Sequence, residues 1–300
     1  MQRKIPRRIV DGVLLLDKPS GMTSNGALQT ARRLLNAAKA GHTGTLDPMA
    51  SGLLPLTFGE ATKFSQILLD ADKTYEAGVK LGTTTDTGDA DGNVVAEHPV
   101  SVTREALEEV LSRFRGEIDQ LPPMYSALKR DGKPLYEYAR AGIEIEREVR
   151  RVTIHDLELI AFSGEHFSMR VRCSKGTYIR TLAMDIGAAL GCGAHLDALR
   201  RTAIGDFDAA RAVTLEALEA SPAAMRDGLL EPVDALVAHF PKVELQPAEA
   251  AAILQGRELR KPEDGQGSVR LFCGDRFLGV GECQSGSLRP KRLIATQTGQ

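Results

Sequence analysis

The sequence predicts an α+β protein, with strands and helices mixed through most of the chain and a small β-rich second domain from about residue 241. Three observations predict it. Phe167, Met169, Val171 and Cys173 alternate with His166, Ser168, Arg170 and Arg172, the period of a half-buried strand with a basic outer face. Apolar residues recur at helical spacing behind Thr103 (Leu107, Val110, Leu111, Phe114) and from Ile179 to Leu190, where Gly191 and Gly193 stop the helix. Near Pro241 the texture changes, and from Ser268 to Ile294 short apolar runs are separated by glycine-containing turns.

The remaining elements follow in order. Ile9 to Asp17 reads as a buried strand ending in the turn Lys18-Pro19-Ser20-Gly21. Ser24 is placed to cap a helix bearing Leu28, Leu34 and Leu35. A glycine-rich loop spans Gly41 to Gly52, and Lys73 to Leu81 reads as a strand. Thr83 to Asn93 is acidic and contains glycine, hence a loop. Met124 to Arg151 carries many charges, three tyrosines and few aliphatics, as expected of an exposed excursion from the core. Val243 to Leu259 suggests a short strand and a helix. The expected division is a large domain over 1–240 and a small one over 241–300.

Composition narrows the function classes. No apolar run approaches the roughly 20 residues needed to span a bilayer, and Met1 to Val10 is basic without the apolar core of a secretory signal. A cytoplasmic protein is expected. Cys173, Cys192, Cys273 and Cys283 show no C-x-x-C spacing and the histidines are scattered, which argues against zinc, other metals and a disulfide framework. The cysteines read as small buried hydrophobes. The net charge of −2 does not advertise nucleic-acid binding, but local charge does. Phe167 to Thr181 holds four cations and no carboxylate, Arg200 and Arg201 follow, and the tail from Gly286 holds Arg289, Lys291 and Arg292 unopposed. Tyrosines 75, 125, 136, 138 and 178 fall beside cations and outside the expected core, which suits an RNA surface.

The most informative segment is Ala40 to Gly52, a tight polar loop carrying Asp47 and running into apolar Leu53 and Leu54. A functional carboxylate is expected on such a loop. A helix cap at Asp47, with Pro48 at the first helical position, is the competing structural reading. No P-loop and no G-x-G-x-x-G opens the first helix, so a phosphate cradle is disfavoured. Tyr75, on a strand beside charges, is either a cross-strand aromatic or a stacking platform for a nucleobase. Lys175 and Arg180 flank the turn at Gly176, where free N–H groups favour anions, although a surface salt bridge is the plainer reading of Arg180. His195 reads as a structural histidine.

These segments resemble those of TruB-type tRNA pseudouridine-55 synthases. Gly41-His42-Thr43-Gly44-Thr45-Leu46-Asp47-Pro48 is similar to the family signature. Gly12 to Pro19, Gly59 to Phe64, Lys73-Thr74-Tyr75, Met124 to Lys129 and Cys173 to Thr181 fit in order, so the resemblance covers roughly residues 9–202. It implies the pseudouridine-synthase fold, a mixed and largely antiparallel sheet with flanking helices, followed by a PUA-like RNA-binding domain. It implies isomerisation of the T-loop uridine of tRNA, without cofactor, metal or energy source. Asp47 is the expected catalytic carboxylate, with Arg180 pairing it and keeping its pKa low. His42 is expected to wedge into the place of the extruded base, Tyr75 to stack on it, and Tyr178 and the Leu199 backbone to hold its edge. The excursion, about 124–151, is expected to be an inserted clamp on the tRNA T-arm, and the enzyme a monomer.

Other readings remain at this point. A non-catalytic tRNA-binding or tRNA-folding protein explains the cations and tyrosines but not a carboxylate within an anion-binding surface. A metal-dependent hydrolase of phosphate esters conflicts with the scattered histidines. A synthase aimed at another RNA, or guided by accessory proteins, fits less well with a chain that carries its own expected RNA-binding tail.

Overall fold

The computed structural model describes residues 6–260 and 266–295, so Arg3 and Lys4 of the basic amino terminus lie outside the described residues. Among these residues the main sheet has ten strands. Its path runs Val213–Thr214, Gly12–Lys18, Ser51–Phe58, Ala194–Ile204, Lys73–Leu81, His166–Cys173, Arg150–Phe162 and Gly116–Gln120. The first pair and the pair Ser51–Phe58 with Ala194–Ile204 are parallel. The other neighbours are antiparallel, so the sheet is mixed and largely antiparallel as expected.

Strand composition follows burial. Gly12–Lys18 is buried on both faces and therefore reads as a continuous apolar run. Leu14 and Leu16 enter the core under the helices, while Val13 and Leu15 enter a second core on the opposite face. Each such side chain contributes about 1.5–3 kcal/mol by leaving water. His166–Cys173 buries one face only and alternates, as its sequence predicts. The helices Ser24–Leu34, Arg104–Arg113 and Ile179–Ala189 lay Ala27, Leu28, Leu107, Leu111, Leu182 and Ile186 on the same core.

Thr103 caps its helix, accepting from the Ala106 N–H at 3.2 Å. Ser24 does not cap the first helix; Thr23 does, accepting from the Gly26 N–H at 3.0 Å. The acidic loop is also more ordered than its composition suggested, because Thr83–Thr85 pairs with Val94–Glu97. The excursion leaves the sheet after Gln120 and returns at Arg150. It carries a small hairpin, Lys129–Arg130 with Lys133–Pro134, and the helix Leu135–Arg140, and it is largely exposed.

A second, five-stranded sheet begins at Lys242. Val243, Ile253, Leu271 and Leu288 form its own core. Phe277 and Val280 face the other way and close the second core against Val13, Leu15 and Leu236. The small sheet is thereby docked on the back of the main one. No helix among the described residues is long and apolar enough to cross a membrane.

Most of the cations that have no carboxylate near them in sequence have one in three dimensions. Arg170 pairs with Glu76 and Glu158, Arg172 with Asp72, Lys175 with Asp70 and Arg200 with Asp17. Arg289 of the tail meets Glu258, and Lys291 meets Glu282. Arg201 is interior, 1% exposed. The partners come from distant parts of the chain, so a local charge count misses them. Within the excursion, by contrast, Lys129, Arg130, Lys133 and Arg140 have no carboxylate partner among the described residues, and Arg140 lies over the Tyr136 ring.

Candidate active site

The loop holding Asp47 is irregular, so the helix-cap reading does not hold: no helix starts at Pro48. The loop is instead stitched to its surroundings. Ser24 Oγ both donates to the Leu46 carbonyl (2.9 Å) and accepts from the Leu46 N–H (2.8 Å). The Gly21 N–H donates to Pro48 O at 2.8 Å and Ser20 Oγ donates to Met49 O at 2.8 Å. Gly52 closes the loop at φ +100, where a Cβ would stand 2.3 Å from Arg201 O. Only glycine allows that approach of the loop to the neighbouring strand.

Lys18 completes the seat. It is fully buried, and its Nζ donates to Pro19 O (2.8 Å), Met22 O (2.6 Å) and Pro48 O (3.4 Å). Burial pulls this ammonium down to about 8, with Asp47 opposing the shift. Lys18→Met keeps the volume and leaves the Pro19 and Met22 carbonyls without their donor, while Pro48 O keeps the Gly21 N–H. It is expected to cost about 1.5–3 kcal/mol, the range for hydrogen bonds to charged groups. A urea midpoint equal to that of wild type would show that the lysine does not brace the loop.

Arg180 enters from the first turn of Ile179–Ala189, directly behind the Gly176 turn. It is buried, not a surface salt-bridge residue. Its Nε lies 2.9 Å from Asp47 Oδ2 and 3.5 Å from Asp89 Oδ2. Its Nη1 donates to Thr87 O at 3.0 Å and its Nη2 to Tyr125 O at 2.6 Å. A planar guanidinium held from four sides cannot swing, so it fixes the carboxylate in front of it.

The electrostatics differ from expectation in sign. Burial raises the Asp47 carboxyl, Arg180 lowers it, the Asp89 charge raises it again, and Lys18 lowers it slightly. The balance lies above the ordinary carboxylate range. Burial is the largest influence; Arg180 offsets it without overcoming it, and the nearby Asp89 charge adds to it.

Two cavities meet at Asp47. The smaller, about 260 Å³, is lined by Asp47, Tyr75, Tyr178, Arg180, Leu199 and Arg201. The wider, about 570 Å³, is lined by His42, Asp47, Asp89, Tyr136, Arg140 and Arg180. All six sequence-predicted site residues therefore line one or other of two cavities that share Asp47 and Arg180, with His42 on the wider one only. Tyr75 is not outside the core as its neighbours suggested. It is on the inward face of Lys73–Leu81, 9% exposed, and joins the main apolar cluster. Burial pushes its phenol up while the adjacent Arg201 guanidinium holds it down. Burial pushes the His42 imidazole below its ordinary value, against a backbone hydrogen bond at Gly44 that raises it. His195 is structural as read, its Nδ1 2.8 Å from Thr83 O.

Sequence reasoning missed Asp89 and Lys18 as site residues. Asp89 is buried, and its Oδ1 accepts from Thr87 Oγ1 (2.5 Å) and from the Asp91 N–H (3.2 Å). Its loop is laid on Ala194–Ile204 by the Ala90 N–H to Leu196 O bond of 2.9 Å. Nothing in the local spacing separates Asp89 from Asp86 and Asp91. A larger cavity of about 660 Å³, lined in part by Phe207, Leu236 and His239, lies away from these residues. Its Arg211 is spent on Glu231, and its Asp234 on Arg270.

Comparison with known proteins gives the family. The N-terminal domain model of the TruB family pseudouridylate synthases matches residues 32–179. C-terminal domain models of tRNA pseudouridylate synthase B and of pseudouridine synthase II TruB match residues 180–238 and 241–294. The chain is 99% identical over 300 residues to the tRNA pseudouridine synthase B of Azoarcus sp. (strain BH72), covering 100% of both chains. It is 66% identical over 291 residues to that of Aromatoleum aromaticum, covering 97% of this chain and 94% of the other. Among solved structures, an H/ACA RNP bound to a substrate RNA containing 2′-deoxyuridine matches with TM-score 0.72 and 26% identity, over 96% of this chain and 86% of the other. A Cbf5-Nop10-Gar1 complex matches with TM-score 0.71 and 30% identity, over 95% and 84%.

Proposed function

The chain belongs to the TruB family of pseudouridylate synthases, and on that premise we propose that it isomerises the T-loop uridine of tRNA, position 55, with Asp47 as catalytic carboxylate. The observation that carries this reading is the Asp47–Arg180 pair, 2.9 Å apart, where the cavity of Tyr75, Tyr178 and Leu199 meets that of His42.

A uridine inside a folded loop is first turned out of its stack. His42 takes the vacated place from the wider cavity. The uracil enters the smaller cavity against Tyr75, with its edge held by Tyr178 and the Leu199 backbone. The N1–C1′ bond breaks, the uracil turns, C5 bonds to C1′, N1 gains a proton and the C5 hydrogen leaves to solvent. Substrate and product are isomers, so the reaction is redox-neutral and its balance calls for no cofactor. Attack at the sugar, attack at the base and proton removal to a glycal all use the same carboxylate, and each needs it ionised.

Residues 1–240 serve as the catalytic domain and 241–300 as a PUA-like RNA-binding domain of a cytoplasmic, monomeric enzyme. The excursion acts as a clamp on the T-arm, supported by its unpaired Lys129, Arg130, Lys133 and Arg140. Replacing these four by glutamine should weaken tRNA binding and flatten its dependence on log salt by about 0.7–0.9 for each phosphate that the clamp no longer neutralises. An unchanged slope would remove the clamp.

A transcript with cytidine at position 55 tests the substrate. Wild type should convert the parent transcript and leave the cytidine transcript unmodified at every uridine. Pseudouridine at another uridine of that transcript would overturn the T-loop assignment.

A further inference from the structure

The geometry points to Gln120 as a positioning residue for the isomerisation, one that fixes the Tyr178 peptide against the neck of the excursion; this rests on the function proposed above. Gln120 is 1% exposed and ends the edge strand Gly116–Gln120. Its Nε2 donates to Tyr178 O at 3.2 Å, and its Oε1 accepts from the Tyr178 N–H at 3.0 Å. The side-chain amide thus makes the two-point pairing that a neighbouring strand would make, at a place where the chain has left the sheet through Gly176.

Tyr178 needs such a partner. It is the residue before the helix Ile179–Ala189, and its side chain caps nothing. Its carbonyl already accepts from the Leu182 N–H at 3.0 Å, so the Gln120 bond fills its second acceptor position. Fixing this peptide fixes the Tyr178 ring in the smaller cavity and Arg180 two residues later.

The same residue borders the excursion. Gln120 and Arg150 are cross-strand partners, so the excursion leaves and returns at this pair. Arg147 Nη1 ties its two legs together by donating to Pro122 O at 3.1 Å. From the other side, Arg180 Nη2 donates to Tyr125 O. RNA held by the excursion is therefore held in register with Tyr178 and Arg180 through Gln120.

The amide is chemically specific, because it offers a donor and an acceptor in one plane. An ionised carboxylate of the same shape has no donor and repels the Tyr178 carbonyl; a protonated carboxyl offers both again. The test is tritium release from a tRNA transcript labelled at uracil C5. Gln120→Glu should lower kcat by between about 10- and 100-fold at pH 8, the scale of a small misplacement of reacting groups, with KM changed less than about threefold. Its kcat relative to wild type should rise as pH falls, when the introduced carboxyl protonates. Gln120→Leu should show the same kcat loss with no such recovery. If Gln120→Leu does not fold, the pH profile of Gln120→Glu decides alone. A Gln120→Glu profile parallel to that of an active wild type, or a kcat within about twofold of it, overturns the role of Gln120 and leaves the proposed function intact. An inactive wild type overturns both.

Discussion

Asp47→Asn should abolish pseudouridine formation while leaving tRNA binding within about threefold of wild type. Removal of a reacting carboxylate takes at least about 10⁴-fold from kcat, on the scale known for nucleophile removal. Binding energy comes from phosphate and stacking contacts elsewhere, and asparagine keeps the shape of the side chain. Stability gives a second readout. The fold raises the Asp47 carboxyl, so its contribution to stability is fully present below the unfolded pKa and is lost as pH rises through the folded pKa. The fold thus opposes ionisation of this group rather than favouring it, and Arg180 retains Asp89 when Asp47 is neutralised. The Tm of Asp47→Asn at pH 7 should therefore equal or exceed that of wild type. A variant that binds and turns over normally would remove Asp47 from the chemistry. A large fall in Tm would make it a structural residue.

Arg180→Lys is the second substitution with a large expected effect. Lysine keeps a charge but cannot serve two carboxylates and two carbonyls at once. Loss of one preorganised electrostatic partner costs about 10²–10³-fold in kcat. The direction of the pH effect follows from the balance at Asp47. Arg180 pulls that carboxyl down and burial pushes it up. With the guanidinium gone, the pKa rises further, so the acidic limb of kcat/KM moves to higher pH and activity recovers only as pH increases. The measurement is the pH dependence of single-turnover pseudouridine formation. A limb unmoved, or moved to lower pH, would mean that Arg180 does not control the ionisation of Asp47.

The parts of this protein legible in its sequence are those written locally. The alternation of Phe167 to Cys173, the helix behind Thr103 and the loop of Asp47 depend on neighbouring residues, and the structure keeps them, with the loop shortened to 43–50 by the strands Ala40–His42 and Ser51–Phe58. The rest depends on partners far along the chain. Ser24 is a good cap in isolation, but Leu46 offers it a donor and an acceptor, and Thr23 takes the cap. The cations near Arg170 looked unopposed because Glu76, Glu158 and Asp72 lie on other strands or at their ends. Asp89 was hidden among similar aspartates, and its burial beside Arg180 is a tertiary fact. The sign of the Asp47 shift is a tertiary fact too: burial of the carboxyl, and the Asp89 charge beside it, exist only once the Thr83–Asn93 segment is folded onto the site.

The most direct test is tritium release from an unmodified tRNA transcript labelled at uracil C5, with wild type and Asp47→Asn side by side. Bonding C5 to C1′ frees that hydrogen, so release by wild type and none by the variant is the predicted result. Tight binding by both with release by neither would contradict the catalytic account and leave an RNA-binding protein.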